Sequence, residues 1–217
     1  MKGQIFITFI FFCILYSAHA QNNLIPKYLH ECTQDDLDLL REGYMFLRGK
    51  GIMDYYANIH AMHFGMAHDD PREFFPFHGQ MISQMNSLLG EYDSRLRIPI
   101  WDITYEREYP REIYYVTRGW PEIRRTMPPG SPLRANEGYR ASNLPYHFSL
   151  VPFSNACADI HNDVHNYYGG TFGSPWSPAD PMFWSFHAFW DDVYDLYLTE
   201  KGLSRGRSTM PINYPQL

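Results

Sequence analysis

His161-Asn-Asp-Val-His165-Asn-Tyr-Tyr-Gly169-Gly170, followed by Ser177-Pro-Ala-Asp180-Pro181-Met-Phe183-Trp-Ser-Phe-His187-Ala-Phe-Trp-Asp191, is the stretch that decides the fold of this chain. His161 and His165 stand four apart, so on a helix their imidazoles leave the same face about one turn from each other. The spacing predicts a helix over 156–168 that stops at Gly169-Gly170. A second helix resumes after Pro181 and runs through Phe183 to Tyr197. It brings a third imidazole, His187, to the same region. Three neutral imidazoles suit copper or zinc and leave coordination positions open for a small molecule. Taken alone, such a pair on an amphipathic helix is more often accidental or structural than a ligand pair.

Upstream, Thr33 precedes Asp36 by three residues, a capping signal, and Leu37, Leu40, Tyr44 and Leu47 recur at helical spacing until Gly49. Further helical patterns run from Ile52 to about Phe64 and from Phe77 to Leu89, with Asp69-Asp70-Pro71 as the break between them. The stretch 98–150 is rich in Pro, Arg, Tyr and Gly. It reads as a long irregular connection with one short helix near Pro121 to Arg125. The segment after Gly202 reads as surface coil. Few β-branched alternating runs occur, so the predicted class is mainly α: a four-helix bundle core holding a metal site, with long irregular loops.

The 217 residues are 45% hydrophobic and 19% charged, enough for one ordinary core. The formal charge is −6 and the 18 basic residues form no stripe, which argues against a nucleic-acid partner. Lys2, the apolar run 5–16 and Ala18-His19-Ala20 read as a secretory signal over 1–20. A single domain over 21–217 then follows, and the expectation is a secreted, extracellular protein with no membrane partner. Removing the leader takes Lys2 and no acid, leaving −7. Cys13 leaves with it. Cys32 and Cys157 remain as an even pair, expected to form a disulfide in an oxidising compartment, with two free thiols as the alternative. No Asn-x-Ser/Thr sequon is present.

The quoted stretch resembles, in order and spacing, the CuB signature of type 3 copper proteins, the family of tyrosinases, catechol oxidases and haemocyanins. The resemblance implies that His161, His165 and His187 bind one copper. Phe186 stands where the family usually carries another histidine that is not a ligand. Phe183 falls where the family packs an aromatic ring against a ligand, and Asp191 could serve an outer hydrogen bond or simply be a surface acid.

The segment His68-Asp-Asp-Pro71-Arg-Glu-Phe74-Phe75-Pro76-Phe77-His78 is similar to the CuA half, and Ile98-Pro99-Ile100-Trp101-Asp102 is similar to the family's I-P-Y-W-D segment. His68 and His78 are thereby implied as ligands. His60 is favoured as the third, with His63 the alternative. His30 and His147 have no such context, and Glu73 is expected to be solvated. Gly79 and Asn86 stand where an arginine and a glutamate are usual, a departure that puts the support of the CuA side in doubt. Met66 replaces a cysteine that forms a thioether to a histidine in some branches.

The resemblance implies two copper ions with dioxygen bound between them, and a secreted oxidase that converts o-diphenols to o-quinones, with monophenols as further substrates. Asn162 matches an asparagine thought to orient a catalytic water, while the usual acid partner is missing: Pro152 and Cys157 stand upstream and only Asp159 is near. Diphenol oxidation is therefore expected to exceed monophenol hydroxylation. The other readings are a haemocyanin-like dioxygen-binding protein and a catalytically weak structural or matrix protein. Nothing in the sequence specifies the oligomeric state.

Overall fold

The computed structural model describes residues 24–133 and 137–217. The predicted leader lies outside them. Seven helices and no strands occur among the described residues: α1 (Gln34–Gly49), α2 (Ile52–Asp69), α3 (Phe74–Tyr92), α4 (Arg111–Val116), α5 (Glu137–Ser142), α6 (Leu150–Tyr168) and α7 (Pro181–Lys201). Short 3-10 turns at Leu29–Glu31 and Ser177–Ala179 complete the set. No described helix is long and apolar enough to cross a membrane.

Local chemistry fixes the helix starts. Thr33 and Asp36 form the expected capping box at α1, with the Asp36 carboxylate accepting from the Thr33 N–H at 2.8 Å. At α7, Asp180 accepts from the Met182 N–H at 3.0 Å, and Pro181 occupies the position where a missing N–H costs nothing. Asp180 is also paired with Arg125 at 2.8 and 3.3 Å, the aspartate side chain being fully buried. One buried charge pair thus ties the irregular connection to the start of α7.

Several predicted boundaries shift. The second helix runs past Phe64 to Asp69, so His68 sits in its last turn rather than in a linker. The next helix begins at Phe74, because Pro76 falls within its first turn, where a proline removes no helical hydrogen bond. Likewise α6 begins at Leu150 and takes Pro152 into its first turn. The short helix expected at Pro121 to Arg125 is replaced by a turn and extended backbone; short helices lie instead at α4 and α5. Here Arg124 is held by contact, not by propensity. Gly170, at φ +61°, lets the Arg124 carbonyl approach so closely that a Cβ would collide with it, and the Thr171 N–H donates to that carbonyl at 2.7 Å.

The segment after Gly202 is not loose surface coil. Met210 and Ile212 are buried, and Gln84 donates to the Ile212 carbonyl at 2.9 Å. Glu73, expected to be solvated, is buried beneath this segment and accepts from Ser208 Oγ and Thr209 Oγ1 at 2.7 and 2.6 Å. The expected Cys32–Cys157 disulfide is absent: both are free thiols. Cys32 lies beside Asp36, Glu112 and Arg97, whereas Cys157 is buried in α6 near Tyr146. Burial pushes the Cys32 thiol up to about 12 and the Cys157 thiol higher still, so neither carries the thiolate needed for exchange.

The core lies between α2, α3, α6 and α7. Trp101, Trp184 and Trp190 are fully buried in it, and α3 packs along α7. Those four helices are also the ones that carry the histidine motifs.

Candidate metal centre

Helix α2 carries His60 and His68, α3 carries His78, α6 carries His161 and His165, and α7 carries His187. His68 follows His60 by eight residues, roughly 80° further around the helix at 100° per residue, so both reach one side of α2. Their ring centroids are 5.2 Å apart, with His78 5.4 and 5.0 Å from them. One ligating atom each from His60, His68 and His78 lies within 4.8 Å of the others, and the same holds for His161, His165 and His187. The two triads face each other: His78 stacks on His187 at 4.3 Å, and His68 is 5.4 Å from His161. His63 joins neither triad and instead packs against the Phe77 ring. Of the two candidates on α2, His60 is the one that the structure brings into a triad.

Which ring nitrogen faces the centre follows from the other nitrogen's partner. Nδ1 of His60, His68, His78 and His165 lies 2.6, 2.7, 2.6 and 2.5 Å from the carbonyls of Pro175, Phe64, Phe74 and Phe172. A carbonyl only accepts, so each Nδ1 is protonated and donates, and each Nε2 is left as a bare lone pair. The consequence is sharpest for His60 and His78, whose Nε2 atoms lie 3.3 Å apart. Two lone pairs at that distance repel unless a cation relieves them.

A proton is a poor candidate for that cation. Burial holds His60 down to about 3 and His78 well below the ordinary imidazole range, and neighbouring imidazoles add to the effect. His165 is likewise held to about 3, and His161 and His187 well below the usual range, burial again being the main cause. His68, half-buried, is lowered by the same cause. Six neutral imidazoles with converging lone pairs fit two metal ions of the copper or zinc type.

Aromatic rings enclose the site. Phe183 lies 4.0 Å from His187 and 5.2 Å from His60, as its place in the motif suggested. Phe186 lies parallel to His161 at 5.5 Å, so the residue that replaces a histidine supplies packing. Phe74 touches His78 and His161. On the open side, a cavity of about 290 Å³ is lined by His60, His68, His161 and His165, with Phe64, Asp69 and Asn162 among its other walls. Phe64 and Asp69 are exposed and mark its mouth. Asn162 Oδ1 lies 3.0 Å from His161 Nδ1 and is its acceptor, which turns the amide's donor side elsewhere. Asp159 is exposed on α6.

Sequence reasoning missed the carbonyls of Pro175 and Phe172, which orient His60 and His165; backbone acceptors leave no side-chain signal. It also missed Arg205. Asp191 pairs with that guanidinium instead of a ring N–H, while His187 Nδ1 is buried without a hydrogen-bond partner. Asn86, placed where a glutamate is usual, accepts from the Ile98 N–H at 2.7 Å and so fixes the segment leading to Trp101.

Residues 133–200 match the common central domain of tyrosinase. The chain is similar to a tyrosinase-like protein of Caenorhabditis elegans, at 22% identity over 257 residues covering 94% of this chain and 36% of that protein. It is also similar to a tyrosinase of Streptomyces galbus, at 23% identity over 171 residues covering 58% of this chain and 61% of the relative. The chain thus spans about a third of the length of the first relative and about three fifths of the second. The family match includes His161, His165 and His187 but not the α2 and α3 triad, which stands on its geometry.

Proposed function

We propose that this chain, which belongs to the tyrosinase family of type 3 copper proteins, is a secreted oxidase that takes o-diphenols to o-quinones with dioxygen, using two coppers held by His60, His68 and His78 and by His161, His165 and His187. The carrying observation is the convergence of two imidazole triads on one another across the bundle. When bound, a copper pair supplies dioxygen binding and two-electron oxidation. The chain supplies the rest. Backbone carbonyls set the Nε2 of His60, His68, His78 and His165 toward the centre and the Asn162 amide does so for His161; Phe74, Phe183 and Phe186 exclude water from the rear, and a cavity of about 290 Å³ admits a single phenolic ring beside His161.

Diphenols are favoured over monophenols. A monophenol needs a base near the coppers, and Asn162 spends its oxygen on His161 while an amide is no base at neutral pH. Asp159 is exposed. The acid on the cavity wall is Asp69, beside His68, and it is the group to test. Initial rates on a matched catechol and monophenol decide the matter. The expected result is faster catechol turnover; vigorous hydroxylation abolished by Asp69→Asn would assign a base and reverse the preference. Access to the cavity also favours an oxidase over a pure dioxygen carrier, and oxygen uptake without catechol turnover would indicate the carrier.

A further inference from the structure

We infer that Arg205, delivered by the segment after α7, is a positioning residue for the stacked pair His78 and His187, acting through Asp191. The inference rests on the reading of the triads as copper sites. Arg205 lies beyond the span matched to the family domain.

Asp191 follows His187 by one turn of α7, and Gly79 follows His78 on α3. Together with Trp190, Phe74 and Phe75 they close a cavity of about 10 Å³ behind the two rings. Gly79 is what admits the charge pair there. A Cβ at this position would lie 2.6 Å from Asp191 Oδ1 and closer still to Arg205 Nη1. The guanidinium pairs with Asp191 through Nη1 and reaches Asp195 Oδ1 at 2.5 Å through Nη2, so it bridges successive turns of α7 while lying against α3. It also sits over the Tyr194 ring at 5.4 Å, and that ring stacks on Phe75 of α3 at 4.4 Å.

The clamp is bonded to α7 and packed against Gly79 of α3, so it lies between the two helices whose histidines stack at 4.3 Å. It matters most for His187, whose Nδ1 has no carbonyl to orient it, unlike those of His60, His68, His78 and His165. The ring of His187 is held by packing against Phe183 and His78, and by whatever fixes α7 against α3 behind it. Groups that orient ligands from outside typically change metal affinity 10- to 100-fold.

The rest of the segment is pinned elsewhere, with Thr209 Oγ1 and Ser208 Oγ donating to Glu73, which separates the clamp from general tethering. Copper affinity is measured in the full chain by competition with a chelator, alongside the melting temperature of the metal-free protein. Arg205→Ala should weaken one copper by about tenfold. Arg205→Lys, unable to bridge both carboxylates, should fall between. Gly79→Ala should reproduce the loss by displacing the guanidinium, and adding it to Arg205→Ala should cost little more. Thr209→Val should lower the melting temperature and leave copper affinity within about twofold of wild type. If Arg205→Ala or Gly79→Ala binds both coppers like wild type, or if Thr209→Val weakens copper equally, the clamp has no positioning role. A wild-type chain that binds no copper defeats the reading of the triads and this inference with it.

Discussion

At the scale of single residues, what each imidazole can hold depends on which of its nitrogens is bare. His60 is committed by Pro175 and contributes to a triad, whereas His63, three residues on, turns to Phe77. His60→Ala is therefore expected to lose about one copper and His63→Ala to keep both, measured as metal per chain after dialysis; the reverse pattern moves the ligand to His63. The depressed imidazoles also make a pH prediction for the metal-free protein. His60 and His165 fall to about 3 in the fold and return to the ordinary 6.5 on unfolding. The unfolded chain thus takes up protons first. Their stabilising contribution is whole above pH 6.5 and is lost as pH falls toward the folded value, at roughly 2 kcal/mol per histidine by pH 5. Urea midpoints of the apo protein should drop steeply between pH 7 and 5; a flat profile would mean that these rings are not buried neutral. The five triad members other than His60 were named through the resemblance of their motifs, and the structure brings them together as two triads with it. The His60 and His63 alternatives were not separable, because both fall on one helix and the carbonyl that chooses between them lies 115 residues away.

At the scale of elements, helix existence was readable and helix ends were less so. Apolar spacing located α1, α2, α3, α6 and α7, but α3 and α6 begin earlier than the spacing predicts, at Phe74 and Leu150, because prolines 76 and 152 fall in first turns, where a proline removes no helical bond. The tail after Gly202 was not readable as packed, because two buried apolar residues among polar neighbours carry no periodicity. Its attachment comes from distant partners, Glu73, Gln84 and Asp191. Asp180 shows how one residue serves two elements, capping α7 and neutralising Arg125. Asp180→Ala removes the cap and leaves Arg125 largely buried without its counter-charge, at an expected cost of about 3–5 kcal/mol in denaturant unfolding. A loss below about 1 kcal/mol would show that water compensates the guanidinium and that the pair is not what fixes the connection to α7.

At the scale of the molecule, four helices bring six imidazoles into one enclosed volume, and the fold makes sense as the scaffold for that convergence. Burial that would be costly for six lone pairs becomes favourable once each triad surrounds a cation. With His78 of one triad stacked on His187 of the other, ions held by the two triads would be neighbours. The measurement that tests this most directly is the metal content of the purified protein and of His161→Ala. About two coppers per wild-type chain and about one in the variant are expected, with the fold retained. Stoichiometric zinc, or no stoichiometric copper with all six histidines intact, would contradict this expectation.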